Sequence, residues 1–217
     1  KNKKKNKKFK NKNSISSAAA DVKTSSEQAN GHVDGEENGD DANSGGGPGR
    51  GHTGEVMCCA VSTDGTTLVT GGEDRCLIVW DTETFQVKYR LHGHRGPVTC
   101  VAFRENTLTC FSGSADRTVR VWNLETGSYV ESLYGHQAEV VSIDSLLQDR
   151  AVSSGYDKTC RMWKIAQQTQ LLFKGAKSSI DMIRMIDDDR WVTASQDGSV
   201  ALWSNKKKKP LFRKDNA

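Results

Sequence analysis

The sequence lacks any long apolar run. No stretch approaches the roughly 18 residues that a membrane-spanning helix needs, and no apolar signal-peptide region is present. We therefore expect a protein without a membrane partner.

The cysteines also lack the spacing of a metal or redox motif. None of the six belongs to a C-x-x-C pair, and no histidine stands at ligand spacing from any of them. We expect reduced, buried thiols that pack as small hydrophobic side chains, in a reducing compartment. We expect neither a metal ion nor another cofactor. The cysteines are Cys58, Cys59, Cys76, Cys100, Cys110 and Cys160.

Apolar residues are scarce, above all at the start of the chain. They make up 35% of the sequence, and residues 1–50 hold almost none that can build a core. Because such a segment cannot offset the entropy cost of ordering, we predict that residues 1–50 are disordered and of low complexity, first Lys-rich and then acidic and Gly-rich. The chain opens on Lys1, so we expect it to be an internal piece of a longer protein.

Positive charge is unevenly spread. Residues 1–12 hold eight lysines and no acid, whereas residues 13–49 hold one lysine and seven acids. Residues 51–205 carry 15 Lys and Arg against 19 Asp and Glu, and residues 206–217 carry six basic residues against one Asp. A domain that grips nucleic acid over its whole surface is usually basic. An RNA partner would therefore be held electrostatically by the flanks or by a few loops.

A sequence repeat begins at Gly51. Four units open with Gly-His or, in the last, Gly-Ala, at intervals of 42, 42 and 40 residues. Each unit carries a Trp, an Asp six residues before the Trp, and a hydroxyl side chain four residues before the Asp. Spacings kept in register over about 150 residues predict a repeat architecture. The predicted units are residues 51–92, 93–134, 135–174 and 175–205, followed by a basic tail or loop at 206–217.

Each unit contains short runs of alternating apolar and polar residues between turn signals. In the second unit, Val98–Phe103, Leu108–Ser112, Val119–Trp122 and Tyr129–Leu133 are predicted strands. One four-stranded sheet cannot bury both of its faces alone, so neighbouring sheets should stack radially. The predicted fold is all-β, a β-propeller with four blades in this chain and seven or so in the intact protein.

Gly-His followed by Ser or Thr, Asp and Trp at these offsets resembles the WD-repeat family. Only the first unit ends in a literal Trp-Asp pair, Trp80-Asp81. The other three units have a different residue after the Trp, a variation that the family tolerates. In that family the four residues form a hydrogen-bonded tetrad inside each blade. The resemblance implies three complete tetrads: His52, Thr70, Asp74 and Trp80; His94, Ser112, Asp116 and Trp122; and His136, Ser153, Asp157 and Trp163.

The fourth unit departs from this pattern. It keeps Thr193, Asp197 and Trp203, but Ala176 stands where the histidine should be. A bond between a histidine ring and the Asp197 carboxylate cannot form there, so we expect a looser blade.

A histidine, a hydroxyl and an aspartate in one unit also suggest a hydrolase. A catalytic triad occurs once in a protein, however, whereas this set recurs at fixed spacing. The stretch Gly45–Gly51 has no Gly-Lys-Ser/Thr and is predicted to be a flexible linker instead of a phosphate loop. The sequence therefore predicts a binding protein that is not an enzyme.

Two segments carry a finer resemblance. Residues 119–137 and 179–212 are similar to the WD-repeat proteins of the U3 small nucleolar ribonucleoprotein (U3 snoRNP), above all in Asp197–Trp203 and the basic run that follows. The resemblance implies a nuclear, nucleolar scaffold that binds the box B/C element of U3 snoRNA. Its other implied partners are box C/D core proteins and small-subunit processome proteins, and its implied role is small-subunit pre-rRNA processing in ribosome biogenesis.

An alternative is a generic WD-repeat interaction adaptor, such as the substrate receptor of a ubiquitin ligase. Propellers of that class often follow an F-box or another ligase-binding motif. Neither occurs in this sequence.

Candidate contact residues lie where the Gly-His loop and the tetrad aspartate should meet, at a rim where the family commonly binds partners. Tyr156 is the first candidate, because aromatic residues dominate interface energetics. The others at this rim are Glu73, Arg95, Ala115, Gln137, Lys177 and Gln196. The alternative for this set is ordinary loop residues.

The basic runs are candidates for phosphate contact. The second run consists of Lys206, Lys207, Lys208 and Lys209. Its alternative is a charged loop that keeps a strand edge from pairing wrongly. The first run, Lys1–Lys12, is either a solvated stretch, a nuclear or nucleolar address, or a sequence-blind phosphate contact.

Overall fold

The computed structural model describes residues 51–216 of the chain, which contain sixteen β-strands. They form four antiparallel sheets of four strands each, and the strand order in every sheet follows the chain. Each sheet is one blade, so the predicted all-β fold with four blades is confirmed. The predicted disorder of residues 1–50 concerns a segment outside the described residues.

The strands follow the repeat. Blade 1 consists of β1 (Val56–Val61), β2 (Thr67–Gly72), β3 (Leu77–Asp81) and β4 (Val87–Leu91). Blade 2 consists of β5 (Val98–Phe103), β6 (Thr109–Ser114), β7 (Thr118–Asn123) and β8 (Ser128–Tyr134). Blade 3 consists of β9 (Val140–Ser145), β10 (Arg150–Gly155), β11 (Thr159–Lys164) and β12 (Thr169–Lys174). Blade 4 consists of β13 (Ile180–Asp187), β14 (Arg190–Ser195), β15 (Val200–Ser204) and β16 (Lys207–Lys214).

The predicted basic tail or loop at residues 206–217 is wrong in its structure. Lys207–Lys214 is the outermost strand of blade 4, in register with β15 through Ala201 and Arg213 and through Leu202 and Phe212. A lysine run does not alternate as a half-buried strand does, which hides it from sequence patterns. An edge strand tolerates both lysine and a proline such as Pro210, because one side of its backbone faces solvent.

Three hydrophobic cores lie between consecutive blades. Adjacent residues on one strand serve different cores, since strand side chains alternate between faces. On β6, for example, Cys110 packs with blade 1 and Phe111 packs with blade 3. Between blades 3 and 4, Phe173 packs edge-on against Trp191 at a centroid distance of 4.7 Å. Blades 2 and 3 are therefore packed on both faces.

The outer faces of blades 1 and 4 are uncovered within residues 51–216. The innermost strand of blade 1 exposes Val56, Met57 and Val61, and that of blade 4 exposes Met182 and Ile186. Large apolar side chains at such positions are buried in the inner blades, where Val98 and Phe103 occupy the places of Val56 and Val61. Blades 1 and 4 do not pack on each other as consecutive blades do.

The six cysteines are free thiols, four of them buried. Burial raises the pKa of Cys58 and of Cys100 to about 12, so these thiols stay protonated at neutral pH. Cys59 is exposed, so the prediction that all six are buried is wrong there. It lies on the uncovered face of β1.

Within residues 51–216 there is no helix long and apolar enough to cross a membrane. The same residues contain no group of three or more His, Cys, Asp or Glu side chains arranged to hold a metal ion.

Candidate functional site

Two kinds of loop meet at one end of every blade. The first leads from one blade into the next through Gly-His, and the second joins the two middle strands and carries the tetrad aspartate. Backbone hydrogen bonds tie the two together: Tyr156 N–H donates to Glu139 O (3.0 Å), and Gln196 N–H donates to Ser179 O (3.1 Å). Glu73 and Ala115 N–H make the same bond in blades 1 and 2. We call this end the Gly-His rim.

The tetrads are directional hydrogen-bond chains. In blade 2, Trp122 Nε1 donates to Ser112 Oγ at 2.8 Å, and that oxygen lies 2.8 Å from His94 Nε2. Because an indole N–H only donates, the hydroxyl accepts from it and gives its own proton to Nε2. His94 Nδ1 then carries the proton that it donates to Asp116 Oδ2, at 2.8 Å. Both ring nitrogens are thus occupied.

The same chain is built in blades 1 and 3. In blade 1, Trp80 Nε1 donates to Thr70 Oγ1 at 2.9 Å, and His52 lies 2.8 Å from both Thr70 Oγ1 and Asp74 Oδ1. In blade 3, Trp163 donates to Ser153 at 2.8 Å, and His136 lies 2.8 Å from Ser153 Oγ and 2.9 Å from Asp157 Oδ2.

The tetrad aspartate also fixes the rim loops. Asp116 accepts the backbone N–H of Arg95 at 2.9 Å and that of Thr118 at 2.9 Å. Burial raises the pKa of Asp116, but the hydrogen bonds from His94, Thr118 and Arg95 outweigh it and hold the pKa well below the ordinary range. Asp157 has the same partners in its own blade and its pKa is likewise lowered. The residue after each aspartate takes a positive φ: Arg75 (64°), Arg117 (69°), Lys158 (61°) and Gly198 (73°).

The fourth tetrad has lost its histidine but its carboxylate still has a cationic partner. Trp203 Nε1 donates to Thr193 Oγ1 at 2.9 Å, as in the other blades. Asp197 Oδ2 accepts from Arg213 Nη2 at 2.9 Å instead of from a ring. The hydrogen bonds from Ser199 and the charge of Arg213 hold the pKa of Asp197 below its ordinary value. Arg213 also donates to Gly175 O at 3.1 Å, so it anchors the Gly-Ala loop.

Each blade places one arginine beneath its opening glycine, from one of two strands. In blades 1 and 4 it comes from the outermost strand: Arg90 pairs in register with Ile78, and Arg213 with Ala201. In blades 2 and 3 it comes from the third strand, as Arg120 and Arg161. A Cβ on Gly93 would lie 2.2 Å from Arg120 Nη1, and one on Gly135 would lie 2.5 Å from Arg161 Nη1. A side chain at either glycine would have to displace the guanidinium group beneath it.

The candidate contact residues fall at two opposite ends of the blades. Glu73, Arg95, Gln137, Tyr156, Lys177 and Gln196 are all exposed at the Gly-His rim. Lys177 Nζ lies 3.3 Å from Asp215 Oδ2. Lys206, Lys207, Lys208 and Lys209 lie at the other end of blade 4, because β15 runs away from the rim and β16 returns to it. Because the two sets lie at opposite ends of the blades, they do not form one ligand site. Their role in binding stays a prediction.

Sequence patterns missed four rim residues that stand out in the structure. Arg117 and Lys158 project from the positive-φ turns, and Tyr134 ends the outermost strand of blade 2. Arg213 takes the place of a missing histidine, whose position is held by Ala176, 37 residues earlier in the chain. The available signal was the cation directly after the tetrad aspartate in three of the four units.

A protein-family comparison matches this architecture. The WD domain, G-beta repeat family matches residues 49–81, 85–123, 127–164 and 167–204. These repeats are offset from the blades by one strand: residues 85–123, for example, contain β4 of blade 1 and β5, β6 and β7 of blade 2. Each matched repeat after the first thus bridges two blades.

Known relatives share most of this chain. "U3 snoRNP-associated protein-like YAO" of Arabidopsis thaliana is 41% identical over 166 residues, which cover 76% of this chain and 33% of that protein. "Ribosomal RNA-processing protein 9" of Saccharomyces cerevisiae is 34% identical over 201 residues, covering 75% of this chain and 35% of that protein. This chain therefore spans about a third of the curated relatives that it matches.

A solved structure described as "Structure of U3-55K" superposes with a TM-score of 0.75 at 41% sequence identity. The match covers 76% of this chain and 51% of the solved chain. Family repeats, blade order and tetrads agree: this chain belongs to the WD-repeat family, and its relatives include U3 snoRNP-associated proteins.

Proposed function

We propose that this chain is the WD-repeat region of a non-catalytic scaffold of the U3 snoRNP. The intact protein would bind U3 snoRNA at its box B/C element, together with box C/D core proteins and small-subunit processome proteins. It would act in small-subunit pre-rRNA processing in the nucleolus. The observation that carries this proposal is the 41% identity to the U3-55K structure over 76% of the chain, at a TM-score of 0.75.

The chemistry of the blades supports a scaffold. The groups that suggest a hydrolase are already engaged with one another: in blades 1 to 3 both histidine nitrogens have partners, and the tetrad hydroxyls of Ser112 and Ser153 are fully buried. A catalytic triad engages its histidine in the same way, so access to the hydroxyl is what distinguishes the two cases. The buried hydroxyls of Ser112 and Ser153 each also accept an indole N–H and are closed to a substrate, which supports tetrads that serve the fold and leave binding to the rim and the loops.

The size of the intact protein also bears on the proposal. The solved relative is about twice as long as its match to this chain, since only 51% of it is covered. Four blades in that half support the prediction of seven or so blades in all. The whole assembly, and not blades 1 to 4 alone, is therefore the material to test.

The test is recovery of the intact, tagged protein from cells, with sequencing of the bound RNA and mass spectrometry of the bound proteins. We expect enrichment of U3 snoRNA and of box C/D core proteins. Recovery of cullin subunits without a box C/D RNA would contradict the proposal and favour a ubiquitin-ligase receptor. Localisation outside the nucleolus would count against it as well.

A pair of variants sharpens this experiment. Tyr156 is 51% exposed at the Gly-His rim, and Phe85 is 71% exposed at the opposite end of blade 1. We expect Tyr156→Ala to reduce recovery of the ribonucleoprotein, whereas Phe85→Ala leaves recovery unchanged. Equal recovery with both variants would remove Tyr156 from the contact surface.

A further inference from the structure

Two equivalent clefts open on the Gly-His rim. The first rim cleft lies between blades 2 and 3, has a volume of about 460 Å³, and is lined by Arg95, Arg117, Arg120, Tyr134 and Gln137, among others. The second rim cleft lies one blade further, between blades 3 and 4, with about 550 Å³. Its lining has Gln137, Lys158 and Arg161 where the first cleft has Arg95, Arg117 and Arg120, and Lys174 where the first has Tyr134.

Among residues 51–216, the guanidinium at the base of each cleft has no carboxylate within ion-pair distance. Arg161 is only 8% exposed, yet among residues 51–216 its sole hydrogen bond runs from Nη1 to Gln170 Oε1 (2.6 Å), and its Nε has no partner. Arg120 Nε is likewise buried without a partner, and its guanidinium lies 5.5 Å from the centre of the Tyr129 ring. By contrast, Arg213 in blade 4 has an ion pair with Asp197 at 2.9 Å.

A buried guanidinium is costly unless an anion compensates it. One carboxylate lines each cleft, Asp116 in the first and Asp157 in the second, and both already accept hydrogen bonds from their histidines and from rim backbone N–H groups. Three further cations, Arg117, Lys158 and Lys174, have no ion pair within the described part of the chain. Each cleft is therefore lined by more cationic than anionic side chains: Arg95, Arg117 and Arg120 against Asp116, and Lys158, Arg161 and Lys174 against Asp157.

An exposed aromatic ring lines the first cleft, and another directly precedes a lining residue of the second. Tyr134 lines the first cleft and is 70% exposed. Tyr156 directly precedes Asp157 of the second cleft and is half exposed. Cations that repeat at a one-blade interval, with an exposed ring in the first cleft, suit a polymer that carries a phosphate and a base in each unit. Single-stranded nucleic acids are bound in this way, through phosphate contacts and base stacking.

We propose that the two rim clefts bind successive stretches of one single-stranded RNA, with Arg117 and Lys158 on its phosphates and Tyr134 stacked on a base. The identity of the ligand as RNA rests on the proposed function, whereas the anion preference rests on the clefts themselves. An acidic protein segment would use the cations but has no need of the ring, so RNA is the better match.

Charge reversal on the intact protein tests the proposal, with an oligouridine of roughly 12 nucleotides as the probe. We expect Arg117→Glu and Lys158→Glu each to weaken binding by about tenfold, and each lost phosphate contact to reduce the slope of log affinity against log salt by about 0.7. Arg75→Glu is the matched control. It has the same turn position and a φ of 64°, but it lies in blade 1, where the arginine beneath the opening glycine is Arg90, 4.0 Å from the Asp74 carboxylate.

A second pair of variants tests stacking. Tyr134→Phe should keep the affinity for oligouridine, whereas Tyr134→Ala should reduce it, because stacking needs the ring and not the hydroxyl. Equal affinities for these two variants would remove Tyr134 from the site.

Three results would overturn the cleft assignment. One is an equal loss of affinity in Arg75→Glu, and another is unchanged oligouridine binding in both cleft variants. The third is a polyglutamate peptide that binds as tightly as the oligouridine with the same dependence on Arg117, which would assign the clefts to acidic protein segments. The proposed function is tested separately: recovery of U3 snoRNA with unchanged oligouridine binding refutes only the clefts, and cleft-dependent oligouridine binding without U3 recovery refutes only the U3 assignment.

Discussion

Blades 2 and 3 differ from blades 1 and 4 although all four follow the same repeat. The inner pair packs on both faces and leaves its arginines, Arg120 and Arg161, without a carboxylate partner among the described residues. The outer pair packs on one face and takes its arginine from the outermost strand, close to the tetrad aspartate: Arg90 lies 4.0 Å from Asp74, and Arg213 lies 2.9 Å from Asp197.

This difference separates what the fold requires from what it permits. A tetrad aspartate always receives donors, because a carboxylate buried at the rim would otherwise carry an uncompensated charge. The donor itself is replaceable: a ring nitrogen in blades 1 to 3, a guanidinium in blade 4. In blades 2 and 3 the histidine and rim backbone N–H groups satisfy the aspartate without the arginine, which has no ion pair among the described residues.

The largest expected effect concerns the uncovered faces. Residues 51–216 expressed alone expose Val56, Met57 and Val61 on one side and Met182 and Ile186 on the other. Apolar burial contributes about 25 cal/mol per Å², so we expect this fragment to self-associate as its concentration rises, as measured by analytical ultracentrifugation. Val56→Thr with Met182→Thr should reduce association. A monodisperse monomer that melts cooperatively would instead indicate that four blades form a complete unit.

The next effect separates the tetrads. Asp116→Ala leaves the His94 ring N–H and the Arg95 and Thr118 backbone N–H groups without their acceptor, at about 1–3 kcal/mol of unfolding free energy per orphaned buried group. Asp197→Ala should lower the unfolding free energy by less, because the Asp197 side chain is 28% exposed against 8% for Asp116. Water can therefore take the place of the lost Asp197 carboxylate. Denaturant melts measure both.

Asp157→Ala serves as the internal reference, since its tetrad repeats that of Asp116. Its loss of unfolding free energy should equal that of Asp116→Ala. If Asp197→Ala proved as destabilising as the other two, the arginine in blade 4 would be a full equivalent of the histidine.

Much of this fold is readable from the sequence because the repeat fixes it. The Asp-to-Trp and hydroxyl-to-Asp spacings place β2 and β3 of each blade, and the three complete tetrads have the hydrogen bonds that the WD-repeat resemblance implies. The outermost strand carries no such signature, so β16 lies beyond the last matched repeat and its lysines conceal it.

The compensation by Arg213 is hidden for a different reason. Ala176 and Arg213 are distant in sequence, and their relation appears only when β16 pairs with β15 and brings the guanidinium to the rim. A missing histidine alone therefore predicted an unsatisfied aspartate and a looser blade. In the structure Asp197 has a partner, Arg213. A looser blade 4 would therefore have to come from the exposure of this pair and not from a missing bond.

The smallest effect tests whether the arginine and the histidine position share one carboxylate. Arg213→Ala removes the donors to Asp197 and to Gly175 O, and we expect a smaller loss than for Asp116→Ala, because exposed ion pairs contribute little and are screened by salt. Ala176→His should then raise the melting temperature in the Arg213→Ala background but not in the wild type, where Asp197 is already occupied. Two residues that compete for one partner are non-additive. The readout is a double-mutant cycle of thermal melts at low and high salt. If Ala176→His adds the same increment in both backgrounds, Arg213 does not stand in for the histidine, and the fourth tetrad is a separate arrangement.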